Sequence, residues 1–152
     1  MPAEFELSRA EVTAAAKFFA EKSSKRIDRR FHEISVFLQY DEESAETHGV
    51  INGVKGATDV ITQPYDAIPG EPKGVYGELF VNVDQASRVA GEIGGDWTPM
   101  KELLLYIAHG MDHLSGADDA TERGHDLMRK RELGWLDDFE VERRKKAAKK
   151  KR

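Results

Sequence analysis

A chain of 152 residues with 39% hydrophobic side chains is sized for one domain with its own apolar core. Zero cysteines exclude disulfides, thiolate metal sites and cysteine nucleophiles, and no apolar run approaches the ~20 residues of a membrane span. The formal charge of -5 joins two unlike parts: eight of the 23 Lys and Arg lie in the last ten residues, leaving 15 against 28 acids, or -13, for the rest.

The opening MPAEFELSRAEV lacks the basic-then-apolar pattern of a signal peptide, so a soluble, cytoplasmic domain is expected. Ser8 and Glu11 form a capping box, and Val12, Ala15, Ala16 and Phe19 follow on one face, which predicts an amphipathic helix over 8–22. The β-branched, apolar run Ile34 to Leu38 predicts a strand ending near Asp41. A polar stretch from Asp41 to Gly56 follows, with room for a short helix at its start. Thr58 to Thr62 predicts a second strand, stopped by Pro64. The Pro- and Gly-rich segment from Pro64 to Gly77 reads as a loop, and Glu78 to Val83 as a third strand.

Asp84 is the expected cap of a helix to about Ala90, with a loop over 91–96. Thr98 followed by Pro99 is a strong helix start, and the apolar run through Ile107 predicts a central, buried helix that Gly116 ends. A last helix is expected from Thr121 to Leu133, stopped by Gly134. The basic segment 139–152 reads as a disordered tail, either a polyanion-binding end or a solubility device.

Chemistry concentrates on the central helix. His109 and His113 are four apart, and one turn is 3.6 residues, so both rings leave the same face and can converge on a divalent ion. Gly116 lets the chain turn back, and Asp118 and Asp119 follow at once, near enough to supply a carboxylate. Two histidines, one Asp and a position left for water make the layout of a catalytic metal site. Two histidines at this spacing also occur as ordinary core or surface residues, and His32, His48 and His125 are expected on the surface. The Glu that serves zincin proteases as base after the first histidine is Gly110 here, which removes the protease reading its base.

The run His109 to Asp119 resembles the H-G-x-L-H-L-x-G-Y-D-H signature of the YbeY family of metal-dependent endoribonucleases that mature ribosomal RNA. Thr58 to Thr62 resembles the family's T-D-V-L-S segment, Gly77 to Asp84 its G-E-I-x-I-S-x-D strand, and Met128 to Glu132 its M-R-x-x-E helix. The resemblance implies one α+β domain over 1–138, a small mixed sheet packed against helices around the metal-binding helix. It implies a single-strand-specific endoribonuclease of the cytoplasm, with ribosomal RNA and the small ribosomal subunit as partners and no nucleotide cofactor.

Carried over by position, the resemblance puts one Zn2+ or another divalent ion on His109, His113 and Asp119, with Asp118 as a partner of the ligands. The third ligand, usually histidine in the family, falls on Asp119, and two further departures bear on activity. Asp112 replaces an apolar residue and is the candidate general base or a partner standing behind the ligands, or else marks a wet helix face. Asn52 stands where the family has an arginine, and Asn supplies no permanent charge to a phosphate. That second departure favours one alternative, a non-catalytic assembly factor with a structural metal; the other, a metal-dependent hydrolase of another substrate, is expected if the metal pocket is narrow and acidic all round.

Overall fold

The computed structural model describes residues 7–117 and 120–150. Its element order is α1 (Arg9–Ile27), β1 (Phe31–Gln39), α2 (Asp41–Asn52), β2 (Val60–Tyr65), β3 (Val75–Asn82), α3 (Val83–Ile93), α4 (Pro99–Leu114) and α5 (Glu122–Lys150). The three strands form one mixed sheet of order β1-β3-β2, with β1 parallel and β2 antiparallel to the central β3. No helix among the described residues is long and apolar enough to cross a membrane.

Helix α1 opens as the sequence directs, the Ser8 hydroxyl accepting from the Glu11 amide at 3.2 Å. It runs five residues past the expected end. No glycine or proline interrupts it, Ser23 is fully buried, and the stop is Asp28, whose positive φ of 53° breaks the helical path. Val12, Ala15 and Phe19 form its buried face. Strand β1 turns Ile34, Val36 and Leu38 inward and leaves Glu33, Ser35 and Phe37 exposed, the period-2 alternation of a half-covered sheet.

Helix α2 takes most of the polar stretch. Glu43 accepts from the Tyr40 amide at its start, and Gly53, at φ 67°, closes it. Asp41 anchors it to the sheet end, accepting from Asn82 Nδ2 at 2.9 Å and from both terminal nitrogens of Arg88. Strand β2 corrects the expectation that Pro64 stops it: Pro64 lies within the strand opposite Gly77. An edge strand tolerates proline because the missing amide can fall on the unpaired side. Strand β3 begins at Val75, three residues early, and α3 follows it with no loop. The cap of α3 is therefore Asn82, whose side chain accepts from the Gln85 amide at 3.1 Å, and not Asp84.

Helix α4 matches its sequence signals at both ends. Thr98 caps it by accepting from the Lys101 amide, Pro99 is its first residue, and Gly116 follows in a left-handed conformation at φ 94°. Leu103, Leu104, Leu105, Ile107, Ala108 and Met111 are all buried, so the helix is the centre of the core. Its approach to β3 depends on two glycines. A Cβ at Gly110 would stand 2.8 Å from Leu79 Cδ2, and one at Gly77 would stand 2.6 Å from Leu114 Cδ2. Gly110, the residue that replaces the zincin glutamate, is thus one of two points where α4 packs tightly against the sheet.

Helix α5 does not stop at Gly134. It passes through that residue and through the basic segment to Lys150, with Met128, Glu132, Trp135, Leu136 and Phe139 buried between residues 128 and 139. A helical glycine costs about 1 kcal/mol relative to alanine, which the packing of Trp135, Leu136 and Phe139 offsets.

Candidate metal centre

The two histidines of α4 meet as their spacing requires. His109 Nε2 and His113 Nε2 are 3.0 Å apart, and the ring planes are nearly perpendicular, at 83°. The far nitrogen of each ring is engaged. His109 Nδ1 lies 3.0 Å from both carboxylate oxygens of Glu132, and His113 Nδ1 lies 3.2 Å from the carbonyl of Ala117. With each Nδ1–H donated, Nε2 carries the lone pair in both rings, and the two lone pairs point into one space.

This donor set fits a divalent ion. Two imidazole nitrogens each about 2.0–2.1 Å from one ion can lie up to about 4 Å apart, and 3.0 Å falls within that span. The third expected ligand, Asp119, and its neighbour Asp118 lie outside the described residues. Among the described residues, no group of three His, Asp or Glu side chains gathers to hold a metal.

Glu132 is a site residue that motif reading placed but assigned no work. It sits on α5, is fully buried, and reaches across to α4 to hold His109. Burial pushes its carboxyl up from the ordinary value, His109 pulls it back down, and the neighbouring Asp112 adds to the upward push. Two carboxylates in one dry region need cations nearby, and the structure provides them. Arg131 donates from Nε and Nη2 to both oxygens of Asp112 at 3.0–3.2 Å, and Arg26 Nη2 stands 3.4 Å from Asp112 Oδ1. Arg26 also donates to the Ser115 hydroxyl.

Asp112 is therefore not on a wet helix face: it is fully buried. The structure does not bring it forward as a general base. Its carboxylate is committed to joining α1, α4 and α5 behind the histidines, because a residue three after His109 leaves the helix on the neighbouring face.

The other expected residues fall apart from this centre. Asn52 is the exposed last residue of α2, with no charge to offer. His125 is exposed in the first turns of α5 beside Asp126, while His32 and His48 bond the carbonyls of Lys73 and Gly56. Arg129, by contrast, lies one turn before Glu132 on α5 and is exposed.

Comparison with known proteins identifies the family. The family model described as "Endoribonuclease YbeY" matches residues 3–140. Proteins named "Endoribonuclease YbeY" are similar over most of the chain. The one from Rhodopirellula baltica is 33% identical over 136 residues, 86% of this chain and 61% of its own length. That from Nautilia profundicola is 32% identical over 66% of this chain and 69% of its own, and that from Methylococcus capsulatus is 28% identical over 82% and 79%. Among solved structures, the solution structure of TM1509 from Thermotoga maritima superposes with a TM-score of 0.62 at 25% identity, covering 93% of this chain and 89% of that one.

Proposed function

The chain belongs to the YbeY endoribonuclease family, and from that premise we propose that it is a metal-dependent endoribonuclease of single-stranded RNA. Its substrate in this reading is ribosomal RNA, its partner the small ribosomal subunit, its setting the cytoplasm, and its metal zinc. The observation that carries the reading is the convergence of His109 Nε2 and His113 Nε2 at 3.0 Å, each ring fixed from behind through Nδ1. Asp119 is proposed as the third ligand and Asp118 as its partner. The chemistry a divalent ion supplies in such a place is Lewis-acid activation of water and of a phosphoryl oxygen.

The protein's own residues do the remaining work. Glu132 fixes the His109 tautomer and raises the basicity of its Nε2, and the Ala117 carbonyl does the same for His113. The Arg26–Asp112–Arg131 cluster ties α1, α4 and α5 together, so the two rings cannot drift apart. Arg129, exposed on α5 one turn before Glu132, is the cation proposed to meet a substrate phosphate in place of the charge that Asn52 lacks.

A non-catalytic assembly factor is the second reading, and the exposed, uncharged Asn52 favours it. Incubating the zinc-loaded protein with a labelled single-stranded RNA and with its duplex separates the two. The enzyme reading expects cleavage of the single strand alone, lost on chelation and in His113→Ala. Intact RNA with a fully loaded metal site would reject it in favour of the second reading.

A further inference from the structure

From Val141 to Lys150 helix α5 is exposed on every side, and it carries Arg143, Arg144, Lys145, Lys146, Lys149 and Lys150. The family model ends at residue 140, so this extension is a feature of the chain beyond its matched domain. Like charges sit at neighbouring helical positions, Lys145 with Lys149 and Lys146 with Lys149 and Lys150, an arrangement that repels itself. The acids within reach compensate little: Arg143 Nε is 3.9 Å from Glu11, and Lys146 Nζ is 3.7 Å from Glu142. A groove of about 660 Å³ runs between this part of α5 and α1, and its lining joins Arg143 and Lys146 to Arg9 and Lys17, four cations against Glu21 and Glu142. Two helices distant in sequence thus contribute cations to one strip, on a body whose other residues sum to -13.

We propose that the basic end of α5, with Arg9 and Lys17 across the groove, is an RNA-docking strip separate from the histidine centre. A strongly acidic body repels a phosphate backbone, and a row of six exposed cations on a rigid rod reverses that locally. At 1.5 Å per residue, Arg143 lies about 17 Å and Lys150 about 27 Å along the axis from Glu132. One strand of RNA can therefore lie on the strip while another part of it reaches the histidines. The strip reads no sequence, since phosphate contacts position and bases specify. Bound phosphates also relieve the repulsion along the helix. The identity of the ligand rests on the endoribonuclease reading; an acidic protein is the competing partner.

The test compares the full chain with the variant Lys145→Gln, Lys146→Gln, Lys149→Gln, Lys150→Gln, since glutamine keeps helix propensity while removing charge. Both proteins, metal-free to prevent cleavage, are titrated into a fluorescein-labelled 20-mer oligouridine across a salt series. The proposal expects tenfold or more weaker binding by the variant at about 0.1 M salt. It also expects the slope of log K against log salt to be shallower by about 3, since each single-strand phosphate contact contributes roughly 0.7. Equal affinity and slope, with matching far-UV circular dichroism, would overturn it. So would tighter binding of the full chain to polyglutamate than to the oligomer. Failure of the nuclease reading looks different: the full chain would bind RNA through the strip yet leave it uncut.

Discussion

Replacing Glu132 by glutamine separates the two jobs that this residue could hold, tuning a metal ligand or filling the core. Both Glu132 oxygens are 3.0 Å from His109 Nδ1, and the side chain is 1% exposed, so water does not screen the pair. Glutamine keeps the shape and can still accept from Nδ1–H, but it loses the charge that makes the opposite nitrogen more basic. Changes of this kind typically cost 10–100-fold in metal affinity, which is about 1.4–2.8 kcal/mol. Stability should move the other way. The neutral amide ends the crowding of Glu132 against Asp112 and can donate to that carboxylate, so the metal-free variant should melt at the wild-type temperature or slightly above. Zinc competition against a chromophoric chelator measures the first effect, and calorimetry of the metal-free proteins measures the second. Unchanged zinc affinity, or a fall in affinity tracking a loss of several degrees in Tm, would refute the tuning role.

Other perturbations follow from the packing and the charges. Gly77→Ala should destabilise by about 1–3 kcal/mol in urea unfolding, because its Cβ meets Leu114 and the Gln63 carbonyl. Gly134→Ala should stabilise by roughly 0.5–1 kcal/mol in the same assay, because it adds helix propensity where nothing lies within 4 Å. Arg131→Met should cost about 3 kcal/mol, since among the described residues it leaves the buried Asp112 facing Glu132 with Arg26, at 3.4 Å, as its cation. Asp41 is held down to about 2 by Arg88 and then by Asn82. Its stabilisation is therefore complete above pH ~4 and lost as pH falls through about 2. The half-exposed position limits the effect to about 1 kcal/mol, so the gap between wild type and Asp41→Asn should close in unfolding curves taken from pH 5 down to pH 2.

The elements legible in the sequence were those whose signals are local. Thr98-Pro99 and Gly116 framed α4 because capping depends on three or four adjacent residues. The four-residue spacing of His109 and His113 was enough to bring their rings together, because a helix fixes that geometry alone. Long-range context decided the rest. Pro64 reads as a strand breaker unless its strand is known to be an edge, which depends on β3 lying on the other side. Gly134 reads as a helix stop unless Trp135, Leu136 and Phe139 are known to be packed. Asp112 looked like a spare carboxylate because its partners, Arg26 and Arg131, lie 86 and 19 residues away. The same distance hid the work of Glu132. A glutamate on an amphipathic helix carries no local mark of burial, and only its place opposite Met128 and Arg129 in a family-like motif drew attention to it.

The central claim is that His109 and His113 hold a metal together with Asp119. Its most direct test is the divalent-metal content of the purified protein beside His113→Ala and Asp119→Ala, by elemental analysis after loading with zinc and removal of the excess. The account predicts about one zinc per chain in the wild type and its loss in both variants, with the circular dichroism of all three alike. A folded wild type that retains no zinc or other divalent ion, or variants that retain it fully, would contradict it.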